Sequence, residues 1–461
     1  MEPEELAGAL KRLADWAAEH APEPEPVVRR RLREHLGADP REVPIVARSL
    51  AAWDRPNFQV AIDAWSEGRD VETVGLPVMQ GYRAGLAELA RGAAWLAQLE
   101  PSALEHVTVP LGEHESVTCV QSGFWLVRDP EGPLIAMLKS EDRGMGENLA
   151  LEVMAPERER AERALAELSA LMRERNVYRG RVLELRSRYF HEDEGAPLTV
   201  RTLPSIARDQ IVLPAGVLER IERQAFGIAD HAERLRASGR HLRRGLLLHG
   251  APGTGKTLTA MYLAAAMPGR TVVLLTGQAL GAVGMSIDLA TALQPALVIL
   301  EDVDLVAMDR DFEPTNAILF ELLNGMDGLD EDHDVLFVLT TNRADLLEPA
   351  LAARPGRIDQ AVELPLPDAD GRRRLLALYG NGLDLTIADD DPLIEQLDGV
   401  SPAFIRELLR RAALLCAEGS EGELHVTADH LERALHELRE GAGELTNTLL
   451  GARPAPPGQL T

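Results

Sequence analysis

The chain has 461 residues, 45% of them hydrophobic and only 4% aromatic, so a folded protein of about three domains is expected, with a core that leans on Leu, Ala and Val. Its formal net charge of −26 repels a phosphate backbone and disfavours non-specific nucleic-acid binding. No apolar run is long enough to span a bilayer, since the candidate at Leu86–Leu99 is broken by Glu88, Arg91 and Gln98, so no membrane partner is expected.

Residues 1–105 read as helices. Leu6, Leu10, Leu13 and Trp16 share one helical face, and Pro22-Glu23-Pro24-Glu25-Pro26 reads as a stiff extended linker. Trp16, Trp53, Trp65 and Trp95 read as core anchors of this helical region. Residues 106–200 change character and predict a small α/β domain. Strands are expected at Glu115–Val127, Leu134–Leu138 and Leu149–Val153, with a turn at Asp129-Pro130-Glu131-Gly132. A charged helix over Pro156–Arg175 carries Leu165, Leu168 and Met172 on one face, and Val182–Leu185 returns as a strand.

From about Arg208 strands alternate with helices, as in a parallel α/β sheet. The strands are Gly245–His249, Thr271–Leu275, Ala296–Leu300, Val335–Thr340 and Gln360–Leu364. Past Pro367 the pattern is helical, at Gly371–Tyr379, Pro392–Leu397, Pro402–Ala417 and Ala428–Arg439. Domains are therefore expected at 208–367 and 368–442, with a Pro-rich tail at 443–461 read as disordered. Cys119 and Cys416 are far apart and lack metal-site spacing, which points to buried thiols in a reducing compartment. With an acidic, amphipathic amino terminus that lacks a signal-peptide core, the expected location is cytoplasmic.

Gly250-Ala251-Pro252-Gly253-Thr254-Gly255-Lys256-Thr257 matches G-x-x-x-x-G-K-[ST] between an apolar strand and a helix that begins near Leu258. Glycines let backbone N–H groups turn onto phosphates, Lys256 reaches the β/γ-phosphates, and the Thr257 hydroxyl can ligate Mg²⁺. A second motif, Leu297-Val298-Ile299-Leu300-Glu301-Asp302-Val303-Asp304, delivers carboxylates to a strand tip. One acid is needed to hold Mg²⁺ and a second to polarise the attacking water. Thr340-Thr341-Asn342 places an amide at a further strand tip, within reach of the γ-phosphate or the water. Arg354 and Arg357 flank a Pro-Gly turn, and arginine's planar, permanent charge suits transition-state phosphate.

These four motifs, in this order, resemble the AAA family of P-loop ATPases, and the resemblance spans about residues 213–439. It implies an α/β fold: a P-loop AAA domain with a five-stranded parallel sheet and a helical lid. It implies ATP and Mg²⁺ as cofactors, hydrolysis of ATP to ADP and phosphate, and a homo-hexameric ring with nucleotide between subunits. By position, Gly250–Thr257 with Leu258 resembles the Walker A segment, and Thr257 and Glu301 the metal ligands. Glu301-Asp302 resembles Walker B, with Asp302 activating water, and Asn342 the sensor. Arg354 and Arg357 resemble fingers acting on a neighbouring subunit, and Gly399–Ala403 opens the lid helix near the adenine.

The chain departs from the family pattern in three places. Walker B usually ends Asp-Glu; the reversed order resembles that of the mitochondrial AAA protein that assembles respiratory complex III. Where the family carries an aromatic pore residue, the chain has Ala282-Val283-Gly284-Met285, leaving Val283 and Met285 as the side chains available for grip. His114-Glu115 and His191-Glu192 are not followed by the second His of a zinc protease. The expected function is ATP-driven remodelling, unfolding or disassembly of proteins, with residues 1–200 recruiting a substrate or adaptor. A nucleotide-switched assembly scaffold is the first alternative. A nucleic-acid-associated machine is the second, supported only by the basic run Arg240-His241-Leu242-Arg243-Arg244.

Overall fold

The computed structural model describes residues 25–77, 84–92, 100–142, 147–185, 198–304, 321–326, 328, 333–345, 358–385, 392–419 and 424–441. The chain divides into two compact units, Met1–Val177 and Tyr178–Thr461.

In the first unit the described chain runs through α1 (Val27–Leu36), β1 (Ile45–Leu50), α2 (Arg55–Ser66), β2 (Asp70–Gly75) and α3 (Leu86–Arg91). A hairpin follows, β3 (His106–Pro110) with β4 (Ser116–Val120), and then β5 (Gly123–Asp129), β6 (Gly132–Asp142), β7 (Glu147–Met154) and α4 (Arg158–Glu174). Five of the strands form one antiparallel sheet in the order β1-β7-β6-β5-β2. Alternation along the strands supplies two cores. Trp125, Val127, Leu134, Ala136, Leu151 and Val153 meet α2 and α4 on one face, and Phe124, Leu126, Ile135, Met137 and Met154 meet α1 and α3 on the other.

Two expectations change here. Residues 1–105 are not a helical region apart from a following α/β domain: β1 and β2 lie within that span and pair with β7 and β5. These short strands carry Arg48, Ser49, Asp70, Glu72 and Thr73 among their residues, so their strand character comes from distant partners and not from local pattern. The segment expected as one strand, Glu115–Val127, is two, because β4 pairs with β3 in a separate sheet. Trp65 is a core residue, while Trp16 and Trp95 lie outside the described residues.

The second unit holds β8 (Val182–Leu185), β9 (Leu198–Arg201), α5 (Val217–Asp230), α6 (Ala232–Ala237), β10 (Arg244–His249) and α7 (Lys256–Ala265). It continues with β11 (Thr271–Leu275), α8 (Val283–Ala292), β12 (Ala296–Leu300), β13 (Val335–Thr341) and β14 (Gln360–Glu363). Helices α9 (Ala369–Tyr379), α10 (Pro392–Gln396), α11 (Pro402–Gly419) and α12 (Ala428–His436) complete it. The sheet order is β14-β10-β13-β12-β11-β8-β9. Its first five strands are the expected parallel set. Two more extend the sheet: β8 pairs in parallel with β11, and β9 returns antiparallel. Val182–Leu185, expected in the 106–200 domain, therefore belongs to this sheet.

β10, β12 and β13 are apolar on both faces because helices cover both sides. Leu246, Leu248, Val272, Leu297, Ile299 and Val338 face α5 and α7, while α8 lies against β11 and β12. Helices α9 to α12 enclose their own core around Leu375, Phe404, Ile405, Leu408, Leu431 and Leu435. The tail at 443–461 lies outside the described residues.

Candidate functional site

β10 lies between β13 and β14, so the turn at its C-terminal end stands between two other strand tips. Three glycines shape that turn. Gly250 has φ 150°, and a Cβ there would lie 2.4 Å from the Leu364 carbonyl oxygen. Gly253 has φ 76°, and a Cβ would meet Ala403 Cβ and Ser401 Oγ at 2.8 Å. Gly255, with φ 95°, opens α7, and its carbonyl accepts from the Thr259 backbone N–H. The loop also braces itself: the Thr254 hydroxyl donates to the Ala251 carbonyl at 2.9 Å. Lys256 is 5% exposed, and its ammonium donates to the carbonyls of Gly250 and Ala251 at 3.0 and 2.9 Å. Burial pushes its pKa down, against the opposing pull of Asp302 and Asp304.

The acids stand one strand further along the sheet, past β13. After Leu300 the chain turns sharply, and Asp302 takes φ 49°, the one positive φ outside glycine among the described residues. Its N–H donates to Thr340 Oγ1 at 3.0 Å, and the Val303 N–H to the Thr340 carbonyl at 3.0 Å. The β12 tip is thus pinned to the β13 tip. Asn342 Nδ2 donates to Asp302 Oδ1 at 3.4 Å, which joins the expected water-activating acid to the expected sensor amide.

Asp304 was missed as a site residue. It is 4% exposed, and its Oδ1 accepts from the Thr341 hydroxyl at 2.8 Å and the Asn342 N–H at 3.1 Å. Its carboxylate therefore sets the height of Asn342. The signal was present as a third acid two residues after Asp302.

Glu301 behaves differently. Its carboxyl is pushed up by burial and then by the charge of Asp302, and its Oε1 is buried with no hydrogen-bond partner among the described residues. An acid whose oxygen lacks a donor suits a cation or its water shell, so Glu301, with the exposed Thr257 hydroxyl, fits the expected Mg²⁺.

A cleft of about 1080 Å³ opens over these groups. Pro252, Gly253, Gly255, Lys256, Thr257 and Leu258 form its floor, and Asp302 and Asn342 one wall. Pro204 and Ile206, before α5, form a second wall, and Tyr379, Pro402, Ala403 and Arg406 from the helical part a third. Ala403 N–H donates to the Gly253 carbonyl at 3.2 Å, so α11 begins on the glycine loop itself. Pro402 and Ala403 fall in the segment expected near the adenine, whereas Pro204, Ile206, Tyr379 and Arg406 do not follow from the four motifs.

Residues 246–366 match the family model described as ATPase family associated with various cellular activities (AAA). This segment is an AAA domain. Three relatives are similar across it. Proteasome-activating nucleotidase 2 of Haloferax volcanii is 33% identical over 211 residues, covering 42% of this chain and 50% of the relative. ATP-dependent zinc metalloprotease FtsH 1 of Symbiobacterium thermophilum is 35% identical over 207 residues, 42% of this chain and 35% of the relative. ATP-dependent zinc metalloprotease FtsH of Mycobacterium leprae is 33% identical over 247 residues, 49% of this chain and 31% of the relative. The chain spans half or less of the length of these three relatives.

The AAA domain brings Gly250–Leu258, Glu301, Asp302 and Asn342 to neighbouring strand tips. Arg354 and Arg357 lie outside the described residues. Val283, expected as a gripping residue, is instead fully buried at the start of α8. Alternation of small and apolar residues there serves helix packing. Arg244, expected in a basic run, is 1% exposed and Leu242 fully buried, and Arg243 donates to the Met326 carbonyl. That run is therefore no continuous basic surface. No described helix is long and apolar enough to cross a membrane.

Proposed function

We propose that the protein is an ATP hydrolase that spends ATP on remodelling, unfolding or disassembling protein substrates, working as a homo-hexameric ring. One observation carries this reading: the glycine loop, Asp302 and Asn342 meet in one cleft within an AAA domain whose relatives include a proteasome-activating nucleotidase. Loop N–H groups and Lys256 bind the phosphates, the ammonium exchanging loop carbonyls for phosphate oxygens. Mg²⁺, held by Thr257 and Glu301, would neutralise charge on the β- and γ-phosphates. Asp302 accepts the proton of the attacking water, and Asn342 holds that water and the acid in register. Arg354 and Arg357 are assigned, on the chemistry of arginine, to the transition-state charge of a neighbouring subunit's nucleotide.

Residues 1–200 are proposed to recruit the substrate or adaptor, with nucleic acid unlikely as a partner on the net charge. A cytoplasmic location is proposed on the two cysteines, Cys119 and Cys416, which are buried, far apart in sequence and without metal-site spacing. The buried Val283 favours a second reading, a nucleotide-switched scaffold that does not thread chain through a pore. The test is steady-state ATPase with calorimetry. Wild-type protein should bind and hydrolyse ATP with Mg²⁺, and Lys256→Ala should lose binding. Unchanged ATP affinity in Lys256→Ala would mean that the phosphate cradle is misassigned.

A further inference from the structure

α11 carries three arginines, Arg406, Arg410 and Arg411, and the last two share one acid. Glu407 accepts from Arg410 Nε at 2.7 Å and from Arg411 Nε at 2.9 Å, and these two cations hold its carboxyl down to about 2. Arg406 is exposed, lines the cleft, and has no ion pair or hydrogen bond to its guanidinium among the described residues. A free cation on the wall of a site that takes an anion asks for an explanation.

Its position decides which part of a nucleotide it meets. Ala403 touches the phosphate loop at Gly253. Arg406 lies three residues later, on the same side of the helix, about 4.5 Å further from the loop along the axis. Tyr379 lines the same cleft. Pro204, Ile206, Met261 and Leu383 make part of the surrounding walls apolar, beside the polar Asn381 and the paired Glu407 and Arg410. Apolar walls suit a base and ribose, while the phosphates already have Lys256 and the loop N–H groups. A guanidinium is a plane that stacks on aromatic faces and is weakly hydrated. A cation with no protein partner is free to lie on such a face.

We propose that Arg406 is a nucleoside-positioning residue, its guanidinium closing over the purine base from the lid side of the cleft. The proposal rests on the nucleotide-binding reading above. It makes lid and base one unit: occupancy of the base slot holds α11 against the loop through the Ala403–Gly253 contact.

The full-length protein is titrated with ATP, with ADP and with inorganic tripolyphosphate, which carries phosphates and no nucleoside. Arg406→Gln should weaken ATP and ADP by a similar factor, on the order of tenfold, and leave tripolyphosphate affinity unchanged. Arg406→Lys should recover only part of the loss, since it keeps the charge and loses the plane. The residue is exposed, so the ligand-free melting temperature of both variants should match wild type. Equal loss for tripolyphosphate would assign Arg406 to phosphate and overturn the proposal, as would unchanged ATP and ADP affinity. Wild-type protein that binds none of the three would instead remove the nucleotide reading on which the proposal stands.

Discussion

Asp302 and Glu301 are adjacent in sequence and opposite in circumstance. Asp302 faces the cleft with Asn342 against it, and its backbone sits at φ 49°. Asparagine tolerates that conformation as well as aspartate does, so Asp302→Asn changes the charge without adding backbone strain. It should bind ATP and hydrolyse it about 10²–10⁴-fold more slowly, measured as single-turnover rate. Glu301→Gln should weaken Mg²⁺-dependent ATP binding. Because the Glu301 carboxyl is pushed up in the folded state, its ionised form opposes folding, and this cost appears as pH rises through the ordinary and then the raised value. Glu301→Gln should therefore leave the melting temperature of nucleotide-free protein near pH 7 equal to or above wild type. A slow-hydrolysing, tight-binding Glu301→Gln would reverse the two roles.

At the scale of elements, the site is a seam between β12 and β13. Thr340 fixes Asp302 and Val303, and Asp304 fixes Thr341 and Asn342, so two strand tips hold each other in register. Asp304→Ala would strand the buried Thr341 hydroxyl and the Asn342 N–H. It should cost about 1–3 kcal/mol in chemical denaturation and lower hydrolysis while ATP still binds. Hydrolysis at the wild-type rate would show that Asn342 needs no such support. β10, β11, β12 and β13 were legible because each is largely a short apolar run bounded by turn residues, as a strand covered on both faces must be. β1 and β2 were not, because Arg48, Ser49, Asp70, Glu72 and Thr73 break their apolar pattern and their partners lie far along the chain.

The whole sheet is tied at its other edge by a buried charge cluster. Asp334, just before β13, pairs with Arg244 at the start of β10 at 3.1 Å and with Arg270 before β11 at 2.7 Å. Burial alone would raise the Asp334 carboxyl, but the hydrogen bonds and charge of Arg270, with Arg244, hold it below its ordinary value. A depressed folded value means that this stabilisation is present above the ordinary carboxylate pKa and fades as pH falls through the folded one. Thermal stability should thus drop in the acid range below about pH 4, and less steeply in Asp334→Asn. Asp334→Ala leaves two buried arginines without their acid and should cost about 3–5 kcal/mol. Seven residues of β13 separate this edge from the nucleotide edge, so ATP affinity of the folded fraction should not change. A fall in that affinity would show that the two edges are coupled.

The sequence by itself determined the candidate groups and the strand tips that carry them. Glycines, a lysine, acids and an amide at strand ends are local patterns, and local sterics and hydrogen-bonding capacity need no tertiary context to be read. Tertiary structure alone decided the rest. Only pairing across more than 100 residues made β1 a strand, joining residues expected in separate domains into one sheet. Only pairing with β11 placed β8, and β9 beside it, in the sheet of the second unit. Only the fold turned Val283 inward, buried Arg244, and set Asp304 under Asn342. Burial and long-range contact depend on where the chain returns in space, and no residue spacing encodes that distance.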